Sequence, residues 1–160
     1  MRSRLRFASA VAVLGVLTGC TPPPPEPIHS FEQVEVEHVT DGDTLRVTID
    51  GTEERVRILG IDTPELEPPE PCASEATDRL TDLIDEQPVT LTRDPAVPER
   101  DRYDRILAYV ETATGEDTGA VLLSEGLAEI YRAQEHMRTD DYRAAAEKAA
   151  TPPCTLNRAL

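Results

Sequence analysis

The pair Asp50-Gly51 and the segments on either side of it constrain the fold of this 160-residue chain more than any other feature. Apolar and polar residues alternate from Leu45 to Ile49, which is typical of a half-buried strand. Asp-Gly is a strong signal for a tight turn, and the segment Arg55 to Ile61 then predicts a returning strand. A similar alternation begins at Val34, so the sequence predicts three consecutive strands.

The third of these strands is interrupted and then followed by a change of period. Gly60 inside the strand indicates a bulge or a close approach of another part of the chain to the backbone. Pro64 ends the strand, and a proline-rich loop runs from Leu66 to Pro71. Apolar residues then recur at helical spacing from Ala76 to Ile84, with Ser74 available as N-cap.

Two short strands and two helices complete the predicted order. The strands are expected at Val89 to Thr92 and at Ile106 to Val110. The helices are expected over about Asp117 to Glu125, stopped by Gly126, and over about Asp140 to Ala150, capped by Thr139 and terminated by Pro152-Pro153. The order βββαββαα has too few helices for a parallel sheet. An α+β fold, with a small antiparallel barrel and packed helices, fits best.

The N-terminal segment predicts an exported protein. Three arginines among the first six residues precede an apolar run from Phe7 to Leu17, which suits a secretory signal and is short for a membrane span. The sequence Leu17-Thr18-Gly19-Cys20 resembles the lipobox of bacterial lipoproteins, in which the cysteine carries the lipid. Such a lipid would anchor the protein in the outer face of the cell membrane. The alternatives are an ordinary cleaved signal, which would release a secreted protein, and an uncleaved N-terminal anchor.

The chain therefore divides into four predicted segments. Residues 1–20 form the signal peptide, and residues 21–30 form a stiff linker rich in proline. Residues 31–154 have the size of one domain, and residues 155–160 form a tail.

The cysteines suit an oxidising compartment. If Cys20 takes lipid, Cys72 and Cys154 are left, and a remaining pair outside the cell usually forms a disulfide. The alternative is two free thiols. None of the three cysteines has the spacing of a zinc site.

The net charge opposes general attraction of a polyanion. Beyond Cys20 the chain has 31 acidic and 13 basic residues, a formal net charge of −18, and its only lysine is Lys148. Such a surface repels nucleic acid at low salt. One interpretation is a high-salt habitat, since salt near 1 M shortens the Debye length to about 3 Å. The alternative is that acidity only favours solubility.

Charged motifs at predicted strand ends carry the chemical information. They are Asp41-Gly42-Asp43-Thr44, then Arg57 with Gly60-Ile61-Asp62-Thr63-Pro64-Glu65, then Asp101-Arg102-Tyr103-Asp104-Arg105. Together they supply carboxylates for a metal ion, a carboxylate for water activation and two arginines for an anion, which suits phosphodiester hydrolysis. With Gly126-Leu127-Ala128 they resemble the staphylococcal nuclease (thermonuclease) family, in order and over nearly the whole domain.

The resemblance implies a five-stranded OB-fold barrel and a hydrolase that cleaves DNA or RNA with Ca²⁺ and leaves 3′-phosphate ends. It implies that Asp43, Asp62 and the backbone carbonyl of Thr63 bind the metal. Ca²⁺ prefers six to eight hard oxygen ligands, so water and substrate phosphate would have to supply the rest. The alternatives are a simple turn at Asp43 and a loop cap at Asp62. Asp41 would assist the metal indirectly or form an Asx-turn.

The resemblance also implies the catalytic residues. Glu65 matches the carboxylate that activates water, with a solvated surface glutamate as the alternative. Arg57 and Arg105 match the arginines that clamp the phosphate, because a guanidinium donates two parallel hydrogen bonds and stays charged. The alternative is that each arginine only pairs with a nearby acid, such as Glu54 or Asp101.

Three departures from the family pattern concern substrate binding. The loop 66–71 is acidic where relatives often carry lysines, and Asp104 stands where glycine is common. Tyr131 is shifted in register from the family's base-contacting aromatics, and Tyr103 is the alternative for that role. The competing functions are a catalytically inactive OB-fold module that binds nucleic acid or a protein, and a surface lipoprotein that only binds Ca²⁺.

Overall fold

The computed structural model describes residues 30–84, 86–131 and 135–149, without the side chain of Glu32. The strands are β1 Ser30–Asp41, β2 Thr44–Ile49, β3 Thr52–Ile58, β4 Ile61–Asp62, β5 Val89–Thr92, β6 Ile106–Glu111 and β7 Glu129–Ile130. The helices are α1 Ala73–Ile84, α2 Thr118–Glu125 and α3 Thr139–Ala146.

Five strands close into a barrel in the order β1-β2-β3-β6-β5, and closure leaves the barrel without an open edge. The predicted α+β barrel with three helices is thereby confirmed. One pairing differs from the prediction, because β3 and β6 run parallel while the other neighbours run antiparallel. Parallel neighbours need a long crossover, and here the chain passes through α1 and β5 between them.

The core fills the barrel and continues beneath the helices. The largest fully buried side chains include Leu45, Ile58, Leu80, Tyr109 and Tyr142. These come from β2, β3, α1, β6 and α3, and with Leu122 and Leu123 of α2 one hydrophobic cluster joins the barrel to all three helices. This continuity makes the position of the strand ends depend on helix packing.

The predicted hairpin turn is confirmed. Asp50 and Gly51 have φ values of +51° and +76°, as the type I′ turn between two twisted strands requires. Every residue from Thr44 to Ile49 pairs with its partner in β3 without a register shift. The turn therefore places Thr44, at the start of β2, opposite Arg57 near the end of β3.

The third strand is shorter than predicted, because β3 ends at Ile58 and a turn at Leu59 and Gly60 follows. Gly60 has a φ of +84°, a conformation that continues no strand. The chain resumes as β4, which pairs with β7 in a separate two-stranded sheet. The sequence did not predict this small sheet, because two-residue strands carry no alternation.

The helix ends confirm one of the predicted caps and correct two others. Gly126 ends α2 with a φ of +74°, as predicted, while Asp117, the expected start of the helix, is its N-cap. Ser74 is not the N-cap of α1, because the left-handed turn at Cys72 lets that helix begin at Ala73. Thr139 is likewise the first residue of α3, since its hydroxyl is engaged with the backbone of His136 instead.

Helix α3 ends at Ala146, earlier than the predicted end near Ala150. The signal peptide, the linker, Cys20, Pro152-Pro153 and Cys154 lie outside the described residues, so the lipid and the Cys72–Cys154 disulfide stay predictions. Among the residues described, no helix is both long enough and apolar enough to span a membrane.

Candidate active site

Asp43, Arg57 and Asp62 meet at one end of the barrel. Arg57 Nη2 lies 3.0 Å from Asp43 Oδ2 and 3.0 Å from Asp62 Oδ1, so both carboxylates contact the same nitrogen atom. Asp43 is buried in the turn between β1 and β2, while Asp62 ends β4. The first two charged motifs of the sequence are therefore joined in one cluster.

Three hydrogen bonds to neighbouring residues hold Asp43 in place. Its carboxylate accepts hydrogen bonds from the amide of Thr63 at 2.9 Å and from the hydroxyl of Thr44 at 3.0 Å. Its own amide donates to Asp41 Oδ1 at 3.0 Å, which is the Asx-turn that the sequence left open for Asp41. Thr63 thus reaches Asp43 through its amide, across 20 positions of the chain.

Arg57 also forms hydrogen bonds with the turn that follows its strand. Its Nη1 donates to the carbonyls of Ile58 and Ile61, at 2.9 and 2.8 Å. The guanidinium is thus bound on one side by the turn between β3 and β4 and on the other by the two carboxylates. The position of Arg57 therefore depends on the shape of that turn.

Glu65 is exposed and lines the same cleft as Arg57 and Asp62. Partial burial raises its pKa, and the neighbouring carboxylates of Asp43 and Asp62 raise it further. Burial likewise raises the pKa of Asp43, against the attraction of Arg57. The single guanidinium does not offset all of these carboxylates, so the cluster carries excess negative charge.

Arg105 approaches the cluster from the loop before β6. Its Nη1 lies 3.3 Å from Thr44 Oγ1, next to Asp43, and its Nε donates to Asp101 Oδ2 at 2.8 Å. Asp101 Oδ1 also accepts from the amides of Tyr103 and Arg105. The pairing of Arg105 with Asp101, left open by the sequence, therefore exists and aims the guanidinium at the cluster.

The loop itself is tied to β3 by two arginines. Arg100 forms a fork with both carboxylate oxygens of Glu54, each at 2.9 Å, and Arg55 donates to the carbonyl of Tyr103. Arg100 was not singled out from the sequence, since its partner lies 46 positions away. These contacts fix the loop that carries Arg105.

Asp104→Gly is expected to stabilise the protein by about 0.5–1 kcal/mol, because Asp104 has a φ of +63°, where a side chain is strained. Its carboxylate is mostly exposed and lies 3.7 Å from Arg100, so little is lost with it. Urea unfolding measures the change. The matched control, Asp78→Gly on the exposed face of α1, should instead destabilise by about 0.5–1 kcal/mol. A loss of stability in Asp104→Gly would contradict the strain argument.

The predicted residues border a cleft of about 490 Å³. Arg57, Asp62, Glu65 and Arg105 line it. Asp43 is buried beneath its wall, in contact with Arg57. The cleft is also lined by Arg100, Arg102 and His136, to which the sequence assigned no role, and by Tyr131, whose register differs from that of the family's aromatics.

Two exposed tyrosines lie beside the arginines of the site, and one of them, Tyr131, lines the cleft. The guanidinium of Arg57 lies 5.9 Å from the ring centre of Tyr131, and that of Arg105 lies 5.5 Å from the ring centre of Tyr103. Both rings are about half exposed, so neither belongs to the core. The shifted register of Tyr131 therefore does not remove it from the site, because β7 carries it back beside β4.

The donor set suits a weakly held, oxygen-preferring divalent cation. Asp43 and Asp62 supply hard carboxylate oxygens around one point, and the excess negative charge there favours a cation. Within residues 30–84, 86–131 and 135–149, no three side chains of His, Cys, Asp or Glu are grouped to hold a metal. A bound ion would therefore need backbone carbonyl, water and substrate oxygens as well.

Sequence comparisons agree with this geometry. The family described as staphylococcal nuclease homologue matches residues 55–152, which include Arg57, Asp62, Glu65 and Arg105. The chain is 37% identical over 122 residues to a thermonuclease of Staphylococcus intermedius, covering 74% of this chain and 69% of that protein.

Two relatives come from Bacillus subtilis (strain 168). The endonuclease YncB is 33% identical over 136 residues, and the SPbeta prophage-derived endonuclease YokF is 34% identical over 126 residues. These alignments cover 75% and 72% of this chain but only 64% and 42% of the two relatives. With the closed barrel and the clustered acids and arginines, these matches show that the chain belongs to the staphylococcal nuclease homologue family.

Proposed function

We propose that this protein is a Ca²⁺-dependent nuclease that hydrolyses phosphodiester bonds of DNA or RNA outside the cell. One observation carries the proposal: Asp43, Asp62 and Glu65 gather around Arg57 in one cluster, and Arg105 approaches it from the opposite loop. A phosphate in the cleft would be near the arginines directly and would reach the acids through a bound cation. The names of the relatives, thermonuclease and endonuclease, support the same chemistry.

Asp43, Asp62 and the carbonyl of Thr63 are the residues that would hold the ion. Bound Ca²⁺ would supply Lewis-acid polarisation of a phosphate oxygen and of a water molecule. Both carboxylates contact Arg57 Nη2, so a cation held between them would displace that nitrogen from at least one of them. Few protein ligands imply weak binding of the ion in the absence of substrate.

The side chains of the cleft account for the remaining chemistry. Glu65 is exposed at the cleft, so its carboxylate is accessible to take a proton from the attacking water. Arg57 and Arg105 donate hydrogen bonds to the phosphate oxygens, where negative charge increases in the transition state. Tyr131 and Tyr103 offer exposed ring faces on which bases of a single strand can stack.

Location outside the cell rests on the N-terminal sequence. The signal-like residues 1–20 and the lipobox cysteine Cys20 support export and anchoring in the outer face of the cell membrane, or secretion if Cys20 takes no lipid. A Cys72–Cys154 disulfide fits the same compartment. The acidic surface then makes the arginines of the cleft the local source of attraction for the substrate.

The metal requirement gives the direct test. The full-length protein should cleave a fluorescent single-stranded DNA or RNA oligonucleotide in Ca²⁺, lose cleavage when the ion is chelated, and regain it when Ca²⁺ is restored. The reason is that the carboxylate cluster carries excess negative charge, which repels the phosphate of the substrate unless a cation is bound. Gel electrophoresis of the products over a range of salt concentrations measures the reaction.

The alternatives give different results in that assay. Cleavage that continues unchanged in chelator would refute the proposed metal requirement. Binding of the oligonucleotide without cleavage at any salt concentration would favour a catalytically inactive OB-fold module. If the protein binds Ca²⁺ but neither binds nor cleaves the oligonucleotide, the result would favour a surface lipoprotein that only binds the ion.

A further inference from the structure

We propose that His136 is a positioning residue of the active site, which fixes the turn at Gly60 and through it Arg57 and Asp62. The inference rests on the proposed nuclease function, and it assigns a role to a buried histidine that takes no direct part in the chemistry. The residues concerned lie on the wall of the catalytic cleft.

The imidazole edge presses directly against the backbone of Gly60. A Cβ atom on residue 60 would lie 2.3 Å from His136 Nε2 and 2.6 Å from His136 Cε1, which no side chain tolerates. Gly60 also has a φ of +84°, so both the lack of space and the backbone conformation favour glycine there. This is the close approach to the backbone that a glycine inside the predicted strand had indicated.

The turn at Gly60 connects this contact to the reacting groups. Arg57 donates to the carbonyls of Ile58 and Ile61 on either side of the turn, and Asp62 follows directly. On the other face, the carbonyl of Gly60 accepts from the amide of Tyr131 at 3.0 Å. A shift of the turn therefore moves a guanidinium, a carboxylate and an exposed tyrosine together.

A buried hydrogen-bond network holds the Nδ1 side of His136. The carboxylate of Asp94 accepts hydrogen bonds from the hydroxyl of Tyr109 at 2.8 Å and from the amides of Ala96 and Met137. Burial opposes the charge of Asp94, but these hydrogen bonds outweigh it and hold its pKa below the ordinary value. Asp94 is therefore ionised and can only accept, so the tyrosine proton must point to it.

This proton arrangement determines the tautomer of His136. Tyr109 Oη donates to Asp94, so it must accept from His136 Nδ1, which lies 3.0 Å away and therefore carries the hydrogen. His136 Nε2 is left unprotonated, is buried, and has no hydrogen-bond partner among the described residues. Burial lowers the pKa of His136, which agrees with a neutral ring. The bare nitrogen edge is the part that meets Gly60.

The test uses three full-length variants. His136→Asn keeps an amide group to bond Tyr109 but removes the ring edge that contacts Gly60, and it should lower kcat about tenfold with KM nearly unchanged. Gly60→Ala should lower kcat by about 10-fold to 100-fold, because the methyl group displaces the turn. In the double variant the smaller asparagine leaves room for the methyl group, so kcat should be no lower than in Gly60→Ala alone.

The control separates positioning from general stability. Tyr142→Phe removes a hydroxyl that bonds Asp117 and keeps the ring that packs against His136. It should lower the melting temperature at least as much as His136→Asn, yet leave kcat within about twofold of wild type. An equal loss of kcat in Tyr142→Phe would overturn the positioning role. So would independent, multiplying effects of the two substitutions in the double variant.

Amide hydrogen exchange supplies a readout that does not require activity. His136→Asn should speed exchange in the segment from Leu59 to Asp62 more than in the barrel strands β2 and β5, and unchanged exchange there would overturn the contact. If wild type cleaves no nucleic acid, the proposed function fails while the exchange measurement still decides whether His136 holds the turn.

Discussion

Arg105→Ala should lower kcat for oligonucleotide cleavage by about 10²–10³, the usual effect of removing one preorganised donor to a transition-state oxyanion. The guanidinium is aimed at the cluster by Asp101, with Nη1 3.3 Å from Thr44 Oγ1. Alanine removes that donor where the negative charge of the phosphate increases. Stability should change little, because Arg105 is partly exposed and Asp101 keeps two backbone donors. Initial rates at saturating Ca²⁺, together with thermal unfolding, measure both quantities.

Arg79→Ala is the matched control for this substitution. Arg79 pairs with Glu125 on the exposed surface between α1 and α2, so the charge change is identical but lies outside the cleft. It should leave kcat unchanged. Arg105→Lys adds a second comparison, because lysine keeps the charge but loses the planar fork, and should recover only part of the rate. A loss in Arg79→Ala equal to that in Arg105→Ala would attribute the effect to net charge, and the assigned role would be wrong.

The barrel could be predicted because the alternation of apolar and polar residues lies within each strand and the turn signals lie directly beside it. The alternation at Leu45 to Ile49 and the Asp50-Gly51 turn determine a hairpin whose register has no shift. The same locality explains α2, whose cap at Asp117 and stop at Gly126 are both set by adjacent residues. Where the signal extended over fewer residues, as at β4 and β7, no prediction was made.

The residues of the site were also predictable, but their mutual contacts were not. Arg57 contacts Asp43 and Asp62 only because β3 and the turn after it bring two distant motifs together. Tyr131 was doubted on register, yet the β4–β7 pair places it beside Arg57. Such positions depend on pairing between distant segments, which spacing along the chain does not encode.

The error at the start of α3 has a different, local origin. Thr139 has the chemistry of an N-cap, but its hydroxyl is used by the backbone of His136. The same hydroxyl can serve either the helix start or the turn before it, and here it bonds the turn that carries His136. His136 itself carried no sequence signal, because an isolated histidine without a neighbouring ligand is usually structural.

Asp94→Ala should lower the free energy of unfolding by about 3 kcal/mol or more, because it leaves three donors without an acceptor. These donors are the hydroxyl of Tyr109 and the amides of Ala96 and Met137, and Asp94 itself is only 4% exposed. A loss of this size should lower the melting temperature by roughly 10 °C. Urea unfolding at neutral pH measures the free energy, and calorimetry measures the melting temperature.

The pH dependence makes the Asp94 prediction specific. Its pKa is lowered in the folded protein, because the three hydrogen bonds outweigh burial, so the unfolded chain binds the proton more readily. The stabilisation is therefore fully present above the ordinary carboxyl pKa of about 3.9 and is lost as the pH falls through the lower folded value. The difference between wild type and Asp94→Ala should accordingly narrow in acid. The exposed control Asp78→Ala should change stability by less than about 0.5 kcal/mol at every pH. A difference between wild type and Asp94→Ala that stays constant into acid would mean that lost packing, rather than the charged acceptor, destabilises the variant.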